Sequence, residues 1–285
     1  MPGPGAQPGR LPIGVSIGTI RAEPAWWLSA ARRLDEAGYA GLWAWDHFLG
    51  RGDRRVPVVE CWTILTAAAA VTRGAMLGSF VLNVMNRHPA VVARMASTFQ
   101  AVSGGRLVLG IGIGGHPAEH RAFGIPFPDV PERVDRLEEA VAVIRALWTG
   151  GLVTRPSPFY PLEDASAVPV PDPVPRVVIG GQTTPGARLA ARIGDGWTTF
   201  EGPFGRQLPV YLEALEAAGR RREDQLVLVG VESDTIADNA RTLVPWITAP
   251  RDQWERLHEL GADGAVLTAR TEADVVGLLE AAGRW

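Results

Sequence analysis

Apolar, β-rich runs alternate with helical patterns eight times along these 285 residues, and no other feature restricts the fold as tightly. The runs lie at 11–18, 41–48, 75–83, 106–114, 176–181, 195–200, 226–232 and 264–268. Helical patterns fill the intervals at 24–37, 60–72, 89–102, 131–148, 185–193, 207–217, a broken segment over 235–260, and 271–282. In "PERVDRLEEAVAVIRALW", Val134, Leu137, Val141, Ile144 and Trp148 recur at helical spacing, with Pro131 in a first turn that tolerates it. Strict strand–helix alternation implies a parallel sheet. The strands read as runs because both of their faces are covered. Eight units in about the 250 residues typical of such folds predict the α/β class and a closed (β/α)8 TIM barrel. One interval breaks the rhythm: 149–176 is proline-rich, cannot continue a helix, and reads as a rim insertion before the fifth strand with room for a short hairpin. A single domain over 11–285 follows, with 1–10 as a disordered leader; a two-domain split at the insertion is the alternative.

Composition narrows the function. With 46% hydrophobic residues, 21% charged and a net charge of −3, the chain can bury a substantial core. No apolar run approaches the ~20 residues of a spanning helix and the first residues carry no signal core, so a cytoplasmic protein without a membrane partner is expected. Balanced charge without a basic cluster argues against nucleic acid. The single cysteine, Cys61, excludes an internal disulfide and sits in an apolar helical run as a packing residue. Five histidines without ligand spacing leave no metal site to expect. All 28 basic residues are arginine, so no Schiff-base or P-loop lysine exists, and a phosphate must be held by arginine, backbone amides or hydroxyls.

The stretch "RLVLGIGIGGHPAEHRAFG" holds Gly110, Gly112 and Gly115 in a G-x-G-x-x-G pattern. A dinucleotide-binding turn needs a helix opening at the third glycine and an acidic residue ~20 positions later at a strand end. Here His116 and Pro117 follow, the next long helix starts near Pro131, and Glu132 and Asp135 lie in that helix's first turn. In a barrel the same glycines end the fourth strand, on the face where active sites collect. Glycine there lets a flat ligand or phosphate tail approach the backbone. Other strand exits on that face are polar. Asp46 and His47 follow the second strand, and a histidine there can move a proton near neutral pH. Asn83, Asn86, Arg87 and His88 follow the third. "IGGQTTPGAR" follows the fifth, where bare amides at a helix start, two hydroxyls and Arg188 make an anion site. A plain turn or helix start also accounts for several of these.

Those segments, "DHF", "FVLNVMNRHPAVVARMASTFQAVSGGRLVLGIGIGG", "EHRAFGIPFPDVPERVDRLEEAVAVIRALWTG" and "PRVVIGGQTTPGARLAARIGDGW", together resemble the bacterial luciferase-like monooxygenase superfamily in its branch of deazaflavin coenzyme F420-dependent oxidoreductases. The resemblance runs from about Leu11 to Trp197 and fades from Thr199 onward. It implies that Asp46 and His47 stand beside the deazaflavin ring, with His47 as the leading proton donor or acceptor and Asp46 its catalytic neighbour. It implies a non-prolyl cis peptide at Phe80-Val81 beneath the ring, with Asn83 nearby. Gly112, Ile113, Gly114 and Gly115 would line the ribityl and pyrimidine side. Gly180, Gly181, Gln182, Thr183 and Thr184 would take the phosphate, with Arg188 one turn into the helix.

The resemblance also implies hydride transfer between C5 of F420 and a small organic substrate, reduction of an activated C=C or C=N bond being favoured. Relatives often carry tryptophan at the position of Gly115, or a glutamate acid in the sugar-phosphate dehydrogenases. Neither is present, which argues against sugar-phosphate oxidation. His116 and His120 are outside candidates, His120 being expected to pair with Glu119 or Asp129. Trp246 and Trp254 are expected to pack rather than line the substrate wall. An FMN-dependent monooxygenase using dioxygen and a non-catalytic flavin-binding relative remain as alternatives. A homodimer is possible through the apolar "CWTILTAAAAV" helix, a surface equally suited to packing on the barrel.

Overall fold

The structure, a computed structural model, describes residues 9–50, 52–233 and 235–285. Nearly all of the expected leader at 1–10 lies outside the described residues. Five strands of the first half are β1 (Leu11–Ile17), β2 (Tyr39–Ala44), β3 (Met76–Ser79), β4 (Leu82–Asn83) and β5 (Leu107–Gly112). They are followed by β6 (Val153–Arg155), β7 (Leu162–Ala165), β8 (Arg176–Gly180), β9 (Gly196–Phe200), β10 (Leu226–Val231) and β11 (Gly264–Ala269). Parallel pairing runs β3-β2-β1-β11-β10-β9-β8-β5, and β3 pairs with β5 to close the circle. The chain is thus a closed eight-stranded parallel barrel with helices between its strands.

The helices are α1 (Pro24–Glu36), α2 (Cys61–Val71), α3 (Pro89–Ser103), α4 (Pro117–Phe123) and α5 (Val130–Leu147). The second half contributes α6 (Thr184–Ile193), α7 (Glu201–Ala217), α8 (Ile236–Thr248), α9 (Pro250–Glu259) and α10 (Glu272–Ala282). Side chains at their starts satisfy the free amides there: Glu60 accepts from Trp62 and Thr63, Asp129 from Glu132, Thr183 from Gly186.

Strand faces divide the core in two. One set of side chains packs beneath the helices, with Trp27, Leu34, Leu137, Ile144 and Trp197 fully buried. The other fills the barrel itself with Trp43, Met76, Val108, Val178, Leu226, Leu228 and Val266, topped by Phe80. The barrel interior is therefore filled, and a cavity opens where the strands end.

Several boundaries differ from the sequence reading. β2 stops at Ala44, which releases Trp45, Asp46 and His47 into the loop above. The third strand, expected to be continuous over 75–83, is interrupted: β3 and β4 flank Phe80 and Val81, whose peptide bond is cis. Helix α4 was not expected; it starts with Pro117, directly after the glycine pattern, so a helix does open there. What excludes a dinucleotide turn is the closed barrel, in which β5 lies between β3 and β8. Helix α7 begins at Glu201 rather than Gln207, running through Gly202, Pro203, Gly205 and Pro209. The broken segment over 235–260 resolves into α8 and α9, parted before Pro250.

Within 149–176, β6 and β7 form an antiparallel hairpin. The segment then lies against the flank of the barrel. His88 meets the Tyr160 ring edge-on at 5.2 Å, Arg136 stacks 4.4 Å over Phe159, and Gln100 Nε2 donates to the Pro173 carbonyl at 2.5 Å.

Candidate active site

A cavity of about 960 Å³ opens at the carboxyl ends of the barrel strands. Its size sits at the upper end of ordinary ligand sites. Of the residues the sequence singled out for a site, Asp46, His47, Phe80, Val81, Asn83, Gly112, Ile113, Gly114, Gly115, Gly180, Gly181, Gln182, Thr183 and Arg188 all line it. Thr184 does not, and its hydroxyl donates to Gln207 Oε1 at 3.1 Å. Trp246 and Trp254 are buried in the layer beneath the helices, as expected of packing residues.

Asp46 is an anchor. Its carboxylate is almost completely buried and accepts from Arg87 Nη1 and Nη2, from the Asn83 amide, and from Asn86 Nδ2. Arg87 also pairs with Glu60 at the start of α2. Burial opposes the Arg87 charge, yet its bonds to Asp46 and the Asp46 and Glu60 charges win and bind its proton more tightly than usual. With these donors on its two oxygens, Asp46 fixes the exits of β2 and β4 relative to each other. This matters because Asn83 also contacts His120, the neighbour of the Glu119 that meets His47.

His47 points elsewhere. Its Nδ1 lies 3.0 Å from Glu119 Oε1, and its ring meets His116 edge-on with centroids 4.5 Å apart. Burial works against ionisation of Glu119, but the His47 hydrogen bond, the charges of His47 and His116 and the Phe48 amide together hold its carboxyl below the ordinary value. The carboxylate accepts, so Nδ1 donates. His120 pairs with neither expected partner, because Glu119 faces His47 and Asp129 caps α5. Instead Asn83 Nδ2 lies 2.8 Å from His120 Nε2. The Asn83 Oδ1 already accepts from the Met85 amide, which makes Nδ2 the donor and His120 Nε2 the acceptor. Burial, the first cause, lowers the His120 pKa in keeping with that neutral ring.

Two glycines of the opening pattern, Gly110 and Gly112, make room for Val81 together with Gly180. A Cβ on Gly180 would stand 2.9 Å from Val81 Cγ2, one on Gly112 3.1 Å from the same methyl, and one on Gly110 2.1 Å from the Ser79 carbonyl oxygen. The interrupted third strand therefore rests in a groove that side chains on β5 and β8 would fill. Gly114 turns the loop with φ +74°, and a Cβ there would stand 2.5 Å from Nδ2 and Oδ1 of the Asn83 side chain. Arg133 of α5 secures this loop from outside. Its guanidinium donates to the carbonyls of Ile113 at 3.0 Å, Gly114 at 2.7 Å and Pro128 at 3.1 Å, and lies 4.0 Å over the Phe127 ring.

On the neighbouring strand β8, Gly180, Gly181, Gln182 and Thr183 lead into α6, with Arg188 on the cavity wall. The start of α6 borders the cavity with the positive end of the helix dipole, while Pro185 has no amide hydrogen and the Gly186 amide donates to the Thr183 hydroxyl. Thr198 and Thr199 also line the cavity, and their buried hydroxyls have no hydrogen-bond partner among the described residues. Sequence reasoning missed the pairing of Glu119 with His47, and it missed Arg133 and both threonines. Spacing carries no trace of the His47–Glu119 contact, which joins residues 72 positions apart. Pro117 followed by Gly124 at αL spacing was the available signal for α4.

A sequence model of the family described as luciferase-like monooxygenase matches residues 12–278. Among curated proteins, the chain is 35% identical over 210 residues to the F420-dependent glucose-6-phosphate dehydrogenase of Beutenbergia cavernae, covering 71% of this chain and 60% of that protein. It is 31% identical over 269 residues to the protein of the same name from Kribbella flavida, covering 90% of this chain and 78% of that one. Across the first three relatives it spans 60, 62 and 64% of their length. Among solved structures it resembles an F420-dependent secondary alcohol dehydrogenase in complex with an F420-acetone adduct, with TM-score 0.81, 21% identity and 94% and 97% of the two chains covered. The coenzyme F420-dependent tetrahydromethanopterin reductase from Methanopyrus kandleri gives TM-score 0.75 at 17% identity, with 95% and 97% covered. A family match spanning nearly the whole barrel, the fold of these structures and identities above 30% to curated members agree: the chain belongs to the luciferase-like monooxygenase family.

Proposed function

We propose that this chain is an F420-dependent oxidoreductase that transfers a hydride between the coenzyme and a small organic substrate. The observation that carries the proposal is the convergence in one cavity of the Asp46-His47 exit, the Phe80-Val81 interruption, the 112–115 glycine loop and the α6 start. The names of the curated relatives support the choice of coenzyme. The residues present fit a flat ring with a phosphate-bearing tail. Three glycines leave the wall against Val81 free of side chains, and the positive end of the α6 dipole with the Thr183 hydroxyl and Arg188 suits an anion without any lysine.

When bound, F420 supplies the hydride chemistry at its C5. Phe80, Val81 and Asn83 would support the ring, Gly112, Ile113, Gly114 and Gly115 its polar side, and Gly180, Gly181, Gln182 and Thr183 the phosphate. His47 takes or gives the substrate proton at its cavity-facing nitrogen, while Asp46 keeps the loop in place. Trp45, Phe200 and Ile236 wall off the remaining space and exclude water. Gly115 leaves no acid where the resemblance puts a glutamate in sugar-phosphate dehydrogenases, so the relatives' named substrate is not assigned here. Titrating coenzyme-free protein with F420 and, separately, FMN by fluorescence quenching tests the reading. Selective F420 binding is expected, followed on substrate addition by return of colour from reduced coenzyme where the substrate is reduced, or by bleaching of oxidised coenzyme where it is oxidised. Selective FMN binding with oxygen consumption would replace it with a flavin monooxygenase.

A further inference from the structure

His47 has two ring nitrogens with different surroundings. Nδ1 faces Glu119 at 3.0 Å, whereas Nε2 makes no hydrogen bond to another described residue. The edge-on His116 ring at 4.5 Å restricts rotation of the imidazole. The adjacent carboxylate cannot substitute for Glu119, because Asp46 is occupied by Arg87, Asn83 and Asn86. Helix α4, which carries Glu119, is also tied down: Pro117 opens it, Gly124 ends it at φ +65°, and its next residue, His120, is held by Asn83. Two consecutive residues of α4 therefore meet the exits of β2 and β4.

We propose that Glu119 is the positioning residue for His47, fixing its imidazole as the Nδ1–H tautomer so that Nε2 is the nitrogen presented to substrate. The hydrogen bond at one ring nitrogen determines the protonation of the other. In the oxidative direction Nε2 takes the proton of a substrate hydroxyl; in the reductive direction the protonated ring returns it from Nε2. Glu119 stays ionised and exchanges no proton with substrate. Burial opposes that ionisation, but the local hydrogen bonds and histidine charges hold the carboxyl below its ordinary value. This role for His47 rests on the oxidoreductase reading, while its tautomer does not require coenzyme.

The decisive experiment records two-bond proton–nitrogen spectra of the histidine rings in 15N-labelled, coenzyme-free protein above neutral pH, with His47→Gln used for assignment. Wild type is expected to show the Nδ1–H form at His47. Glu119→Gln keeps an acceptor oxygen and retains it, whereas Glu119→Ala shifts the ring toward the Nε2–H form. In turnover, Glu119→Ala is expected to lose on the order of 10²-fold in kcat, with coenzyme KM unchanged, and Glu119→Gln to recover most of that loss. An Nε2–H ring in wild type, or an unchanged kcat in Glu119→Ala, overturns the proposal. The wild-type spectrum needs no variant to fold. An Nδ1–H ring in a protein that binds FMN instead of F420 leaves Glu119 in its role and rejects only the coenzyme reading.

Discussion

Arg87 grips Asp46 with both terminal guanidinium nitrogens, Nη1 on Oδ2 and Nη2 on Oδ1, each at 2.9 Å. The same Oδ2 receives the Asn83 amide at 2.9 Å, so one buried pair locks two strand exits together. Removing a single partner leaves a buried charge without compensation. Arg87→Ala should therefore destabilise the protein by about 3–5 kcal/mol in urea melts. Lysine cannot reproduce the two-pronged grip, and Arg87→Lys should restore less than half of the loss. A wild-type melt from Arg87→Ala would refute this account of the pair.

The glycine groove beneath Val81 predicts a ranking. Gly110→Ala would drive a methyl to 2.1 Å from backbone oxygen and should abolish folding or nearly so. Gly180→Ala and Gly112→Ala meet only a side-chain methyl, at 2.9 and 3.1 Å, and should fold at a cost of about 1–3 kcal/mol. Both should push Val81 toward the cavity and weaken coenzyme binding, Gly180→Ala more than Gly112→Ala. Thermal melts and fluorescence titrations of the three variants check the order.

What the sequence carried and what it did not follow from the range of the interactions involved. The barrel was legible because each βα unit repeats the same local signal, and a glycine-ended strand followed by a capped helix places polar residues at the mouth. Thus His47, Asn83, Gly112 and Gly180 were found from their positions alone. Helix α4 was hidden because seven residues give too little periodicity to register. The start of α7 was hidden by Gly202 and Pro203, whose poor helix propensity tertiary packing overrides, with Phe204 buried against Trp197. Glu119 was matched to the wrong histidine, its neighbour His120, because its actual partner His47 is distant in the chain, and local pattern says nothing about which strand exit a loop helix will face.

Stability should fall in acid through Asp35, at the opposite end of the barrel. This buried carboxylate accepts from the amides of Arg73 at 2.6 Å, Gly74 at 3.1 Å and Ala75 at 2.7 Å, and pairs with Arg10 at 2.7 Å. Burial raises its pKa, but these amides and the Arg10 charge outweigh burial and set it below the ordinary value. The folded state then binds this proton less readily than the unfolded chain. Its stabilisation is complete above the unfolded pKa of about 3.9 and disappears as pH falls through the lower folded value. Asp35→Asn should lower stability near neutral pH and flatten its decline below about pH 5. Parallel slopes for variant and wild type in pH-dependent urea melts would assign the acid loss to other carboxyls.

Arg133 gives the sharpest separation of binding from folding. Its three hydrogen bonds end on the carbonyls of Ile113, Gly114 and Pro128, and the first two belong to the loop that lines the cavity. That loop turns at Gly114 with positive φ, and among the described residues Arg133 is the side chain that donates to its carbonyls, so its shape depends on the guanidinium outside it. Arg133→Ala removes the donors but leaves the Phe127 face and the helix intact. The expected cost in stability is about 1–3 kcal/mol, set by carbonyls that lose charged donors. The loop, no longer held in its bound shape, should pay an ordering cost on binding, lowering coenzyme affinity by roughly tenfold or more. Because His47 and Glu119 lie on other segments, kcat at saturating coenzyme should change much less than affinity. Isothermal titration alongside steady-state kinetics distinguishes the two effects. Equal losses in kcat and affinity would mean that the loop takes part in the chemical step and does more than hold the coenzyme.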